Sequence, residues 1–80
     1  MLIVTSSASS ELLRQSISRG SPGEVYVHLQ PDKFEEGWMF LRVSAWKKSG
    51  IPIARTNGLT VYAPESQKSL LDGLTIDHYQ

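Results

Sequence analysis

Two periodicities divide this chain. Val25, Val27 and Leu29 alternate with Glu24, Tyr26, His28 and Gln30, the two-residue period of a strand with one covered face. The same alternation sets Leu59, Val61 and Ala63 against Thr60 and Tyr62. It returns near the end, with Leu74, Ile76 and His78 against Thr75, Asp77 and Tyr79. Before the first of these strands the period changes. Ala8, Leu12, Leu13 and Ile17 fall near one face of a helix, with Glu11, Arg14 and Gln15 outside it. Thr5, Ser6 and Ser7 offer N-cap oxygens, so a helix is predicted from there to about Ser18, ended by the turn cluster Arg19-Gly20-Ser21-Pro22-Gly23.

The remaining elements follow from punctuation. Leu2 to Val4 is a short β-branched run that can start a sheet. Trp38 to Trp46 alternates as well, and Ile51 to Thr56 is a short strand that Pro52 assigns to a sheet edge. Asn57-Gly58 predicts a tight hairpin joining it to Leu59–Ala63. Pro64 suits the first position of a second, short helix; Leu70 and Leu71 give it an apolar edge, and Gly73 a left-handed end. The predicted order is β-α-β-β-β-β-α-β: a small α+β domain over residues 1–80, with a mixed or largely antiparallel sheet and two helices.

Charge and composition narrow the function. Eight basic and eight acidic side chains cancel, so nothing marks a nucleic-acid or anionic-membrane binder. No apolar run approaches the ~20 residues of a membrane span, and the opening MLIVTSSASS lacks the basic and apolar regions of a signal peptide. The chain has no cysteine, which removes disulfides, thiolate metal sites and cysteine nucleophiles and fits a cytoplasmic or stromal compartment. Eighty residues support only a small core.

Candidate chemistry is sparse. The serines before the first helix are followed by no Gly-rich loop and no lysine, so they read as caps and not as a phosphate site. Asp32, Glu35 and Glu36 share a loop bounded by Pro31 and Gly37; adjacent carboxylates there face water. His28 and His78 have no ligand spacing between them. With no nucleophile–base pair, phosphate loop or metal cluster, the expectation is a protein that is not an enzyme and holds no cofactor.

One strand differs. Met39, Leu41, Val43 and Ala45 form one apolar face of Trp38–Trp46, while the other carries Trp38, Phe40, Arg42, Ser44 and Trp46. Such a strand is either central and covered twice, with its rings filling a small core, or presents an aromatic stripe to a partner. Trp38, Phe40 and Trp46 as anchors and Arg42 as the polar contact are the candidate partner-binding residues, since these types dominate interface hot spots. The partner is an unidentified protein or a second copy of the chain.

The order of elements and the stretch GLTVYAPESQKSLLDGLTIDHY resemble the HesB-like domain of A-type iron–sulfur carrier proteins. The matching residues are Gly58, Val61, Pro64, Ser66, Leu71, Asp72, Gly73, Ile76, Asp77 and Tyr79, with one extra residue in the short helix; the likeness is loose over the rest. The resemblance implies that fold, and iron or a cluster held by a cysteine in the loop after the second strand plus a Cys-Gly-Cys near the end. Here that loop is PDKFEEG, and the sequence stops at Gln80 without a cysteine. The resemblance therefore implies a member that keeps the scaffold for recognising partners and lacks the cluster's ligands. The alternative is an accessory protein of iron–sulfur or iron metabolism that binds metal weakly through oxygen and nitrogen.

Overall fold

The computed structural model describes residues 2–31, 33, 36–37, 39–44 and 50–78, with the side chains of Phe40 and Ser44 excepted. The elements follow in the order β1 (Ile3–Val4), α1 (Ser6–Ser18), β2 (Glu24–Pro31), β3 (Met39–Ser44), β4 (Ile51–Thr56), β5 (Leu59–Ala63), a 3-10 turn (Glu65–Gln67), α2 (Lys68–Leu71) and β6 (Thr75–Ile76). This is the α+β arrangement with two helices that the alternation predicts.

The strands form two sheets, where the sequence pattern suggested one. Four strands lie in the order β3-β2-β5-β4, and β1 pairs β6 separately. Antiparallel β2–β3 and β4–β5 pairs flank a parallel β2–β5 pair at the centre, so the large sheet is mixed. The β4–β5 hairpin turns at Asn57 (φ 49°) and Gly58 (φ 79°), both in the left-handed region, as a tight two-residue turn requires.

The core lies on one face of the four-stranded sheet. Val25, Val27, Leu59, Val61 and Ala63 point inward against Leu2, Leu12 and Leu71, all buried. Helix α1 packs across β2 and β5 on this face. Its capped start and stopped end fix its length. Thr5 is the N-cap and accepts from the Ala8 N–H at 3.2 Å. At the other end Gly20 (φ 81°) sits past the last turn, its N–H donating to Ile17 O while Ser21 N donates to Ser16 O, a Schellman closure.

The buried face of α1 is rotated from the predicted one. Ala8, Ser9, Leu12 and Ser16 are inside, while Ile17 is 59% exposed and Leu13 half-buried. Ser16 earns its interior place through hydrogen bonds: its hydroxyl donates to Leu13 O (2.7 Å) and accepts from Gly23 N (2.9 Å), tying the helix end to the start of β2. The second helix also departs from expectation. Pro64 is the N-cap of the 3-10 turn, one place before the first helical position, and only Leu71 of the leucine pair is buried; Leu70 is exposed.

Candidate functional site

Because both Leu12 of α1 and Leu71 of α2 join the cluster on the inner face, the outer face of the large sheet carries no described helix. β2 sends Glu24, Tyr26, His28 and Gln30 to it. The parallel register sets Tyr62 of β5 beside Tyr26, and the antiparallel register sets Arg42 of β3 opposite His28 and Phe40 opposite Gln30. The Tyr26 and His28 rings lie 5.8 Å apart between centroids, tilted by 44°. Arg42 is exposed at the end of this row.

Tyr26 is not a solvated residue of that face, as the strand pattern implied; it is buried. Gly50 closes over it. A Cβ on Gly50 would meet the Tyr26 ring at 2.8 Å, so no side chain fits between them. His28 is half-buried, and its Nδ1 is enclosed with no hydrogen-bond partner among the described residues. Tyr26, His28 and Tyr62 thus join the face on which Arg42 lies. The β2 alternation signalled the first two; Tyr62 is brought in by a parallel pairing that no local pattern reveals.

Of the four candidate contact residues, Arg42 is fully described and Phe40 is placed by its backbone; Trp38 and Trp46 lie outside the described residues. Among the described residues, the strand that holds Phe40 and Arg42 is at the edge of the sheet.

β2 is paired unequally along its length. β5 accompanies it only over Glu24–Tyr26. Further on, at Leu29, the Gln67 side chain replaces a strand: Leu29 N donates to Gln67 Oε1 (2.8 Å) and Gln67 Nε2 donates to Leu29 O (3.1 Å). Both main-chain groups of Leu29 therefore point away from β3. In an antiparallel ladder this makes Leu29–Leu41 a non-hydrogen-bonded pair, and Leu41 turns its own N–H and C=O outward, toward the open edge.

Depressions among the described residues lie on the core side, and two adjoin α2. One, of about 490 Å³, has Leu2, Ile53 and Leu71 in it and Glu65, Lys68 and Asp72 around it. The other, of about 280 Å³, runs beside β3 and is lined by Leu29, Leu41, Leu71, Leu74 and Ile76, with Asp77 at one end. Among the described residues no three His, Asp or Glu side chains gather as a metal site would need. The loop carboxylates Asp32 and Glu35 lie outside the described residues, and Glu36 is exposed. Among the described residues no helix is long and apolar enough to cross a membrane.

Compared with protein-family models, with curated proteins and with solved structures, the chain matches none.

Proposed function

We propose that this chain is a non-enzymatic protein-interaction module: a HesB-like scaffold without cluster-ligating cysteines, working in a cytoplasmic or stromal compartment. One observation carries the reading. Both helices pack on the inner face of the sheet, and on β3, an edge strand among the described residues, Arg42 is exposed. Trp38, Phe40 and Trp46 are the anchors of the contact and Arg42 its polar member, a combination of residue types that recurs where binding energy concentrates. The absence of cysteine takes away the thiolates that a soft cluster site needs, so the scaffold's use is recognition.

The test is to replace the anchors singly. Trp38→Ala and Trp46→Ala weaken association with the partner while the far-UV circular dichroism of the domain is retained. If both variants unfold, the rings belong to the core and the site assignment is lost.

A further inference from the structure

The two edges of the large sheet are built differently. β4 is blunted in three ways. Pro52 offers no N–H, the register with β5 shifts between Pro52 and Ala54, and β1 packs against it. Among the described residues, β3 carries none of these devices. Its residues pair with β2 in six unbroken steps, from Tyr26↔Ser44 to Pro31↔Met39, and contain no proline. Among the described residues, no strand lies on its far side.

We propose that β3 is a self-pairing edge: two copies of this chain join antiparallel through Met39–Val43, about a two-fold axis centred on Leu41. This rests on the interaction reading and names one partner for it.

The register follows from main-chain direction. The Gln67 clamp on Leu29 makes Leu41 an outward-facing residue, and by alternation Met39 and Val43 face outward too. A two-fold axis perpendicular to the sheet keeps each residue on its own face and sets Leu41 against Leu41 and Met39 against Val43. All three positions then exchange hydrogen bonds, about six in total for an antiparallel ladder of this length. Centring the axis on Arg42 instead would use fewer outward groups and set two guanidiniums directly opposite, which is unfavourable. Centring on Leu41 offsets them by two residues.

The side chains agree with the backbone. Leu41 and Val43 pack against the core, and Met39 on the same face is 48% exposed. The pattern Met39, Leu41, Val43 is symmetric about its middle member, so the strand is apolar-complementary to itself. The 280 Å³ groove lined by Leu29, Leu41, Leu71, Leu74 and Ile76 continues this stripe, with Leu74 at its margin 43% exposed. A second copy extends the stripe over that margin. A single strand pair is small beside the ~800 Å² per partner of a stable interface, so the dimer is weak, with Kd on the order of 100 µM.

The chain's lack of cysteine makes a direct test available. Opposite Cα atoms of a hydrogen-bonded antiparallel pair lie about 5.5 Å apart, within disulfide reach. Met39→Cys and Val43→Cys proteins, mixed near 100 µM and mildly oxidised, give a covalent dimer several-fold in excess of Met39→Cys alone, Val43→Cys alone, or Ile17→Cys on the exposed side of α1. Equal crosslinking of Met39→Cys with itself, or none above the Ile17→Cys control, overturns the proposal. Light scattering on the unmodified chain is the companion that needs no variant. Mass rises with concentration from 8.9 kDa toward twice that value; a constant 8.9 kDa overturns the dimer. Loss of a different protein partner on Trp46→Ala would, in that case, leave the interaction reading standing.

Discussion

Thr5 and Asp77, 72 positions apart, meet at 2.6 Å, with the threonine hydroxyl donating to Oδ1 of the carboxylate. The same hydroxyl accepts from Ala8 N, and the same Oδ1 accepts from His78 N at 2.9 Å. Ser7 Oγ adds a bond to His78 O. The cap of α1 is therefore also the clasp that holds the chain after β6.

Replacing either partner should disturb both ends. Thr5→Ala is expected to lower stability by about 1–2 kcal/mol, the range for losing a helix N-cap, while Thr5→Ser retains most of it. Combining Thr5→Ala with Asp77→Ala should cost less than the sum, because the two residues share one bond. Urea unfolding of the four proteins reads the coupling, and strict additivity would show the clasp to be inert.

Gln67 substitutes for a missing strand beside Leu29, so its amide is the residue's contribution and its size is secondary. Gln67→Ala exposes or orphans two main-chain groups and is expected to cost about 1–3 kcal/mol. Gln67→Glu keeps the shape but turns a carboxylate oxygen toward Leu29 O. Its deficit should be large at neutral pH, shrink as pH falls toward ~4.3 and stay level below it, because a carboxyl raised by facing Leu29 O regains a donating proton above its unfolded value. Thermal melts across that range decide it; a deficit independent of pH contradicts the clamp.

Ser9 points the other way. Its residue is 2% exposed and its hydroxyl has no partner among the described residues, in contrast to Ser16, which uses its hydroxyl twice. Removing an unsatisfied buried hydroxyl relieves its desolvation, and alanine is the better helix former. Ser9→Ala is thus expected to stabilise by about 1 kcal/mol, and Ser16→Ala to destabilise by a similar amount. Denaturant midpoints give both signs at once.

On the outer surface of α1, Arg14 donates to both carboxylate oxygens of Glu11, through Nε to Oε2 at 3.0 Å and through Nη2 to Oε1, and Gln15 adds a bond at 3.1 Å. These bonds, Arg14's first, hold the Glu11 carboxyl down at about 2, below its ordinary 4.5. A depressed carboxylate stabilises the fold above its unfolded value and loses that contribution as pH falls through the folded one. The stability difference between wild type and Glu11→Gln should be level above pH 4.5 and diminish toward pH 2. Exposure and salt keep it small. A difference that grows on acidification would contradict the pairing.

The strands were legible where alternation is strong: β2 and β5 show their buried faces in the sequence itself. Helix α1 was legible in extent but not in orientation. Leucine and isoleucine suggested a face including Ile17, whereas Ser16 is the buried residue and accepts from Gly23 N at the turn into β2. Sheet order was not legible, because the parallel β2–β5 pairing joins segments separated by two other strands. Of the four candidate contact residues, Phe40 and Arg42 fall in β3 as the alternation predicts, and the edge position of that strand among the described residues became clear only with the pairing. The Gln67 clamp left no pattern at all, since one glutamine among polar neighbours carries no periodic signal.

The most direct measurement concerns which surface does the work. Immobilised wild-type chain, Trp46→Ala and Lys68→Glu, each checked by circular dichroism, are exposed to native extract and the retained proteins quantified. Lys68 lies at the 490 Å³ depression between β4 and α2, away from β3. A partner is expected to be retained by wild type and Lys68→Glu and lost from folded Trp46→Ala. Retention by Trp46→Ala with loss from Lys68→Glu would contradict it, moving the working surface from the β3 side of the sheet to that depression.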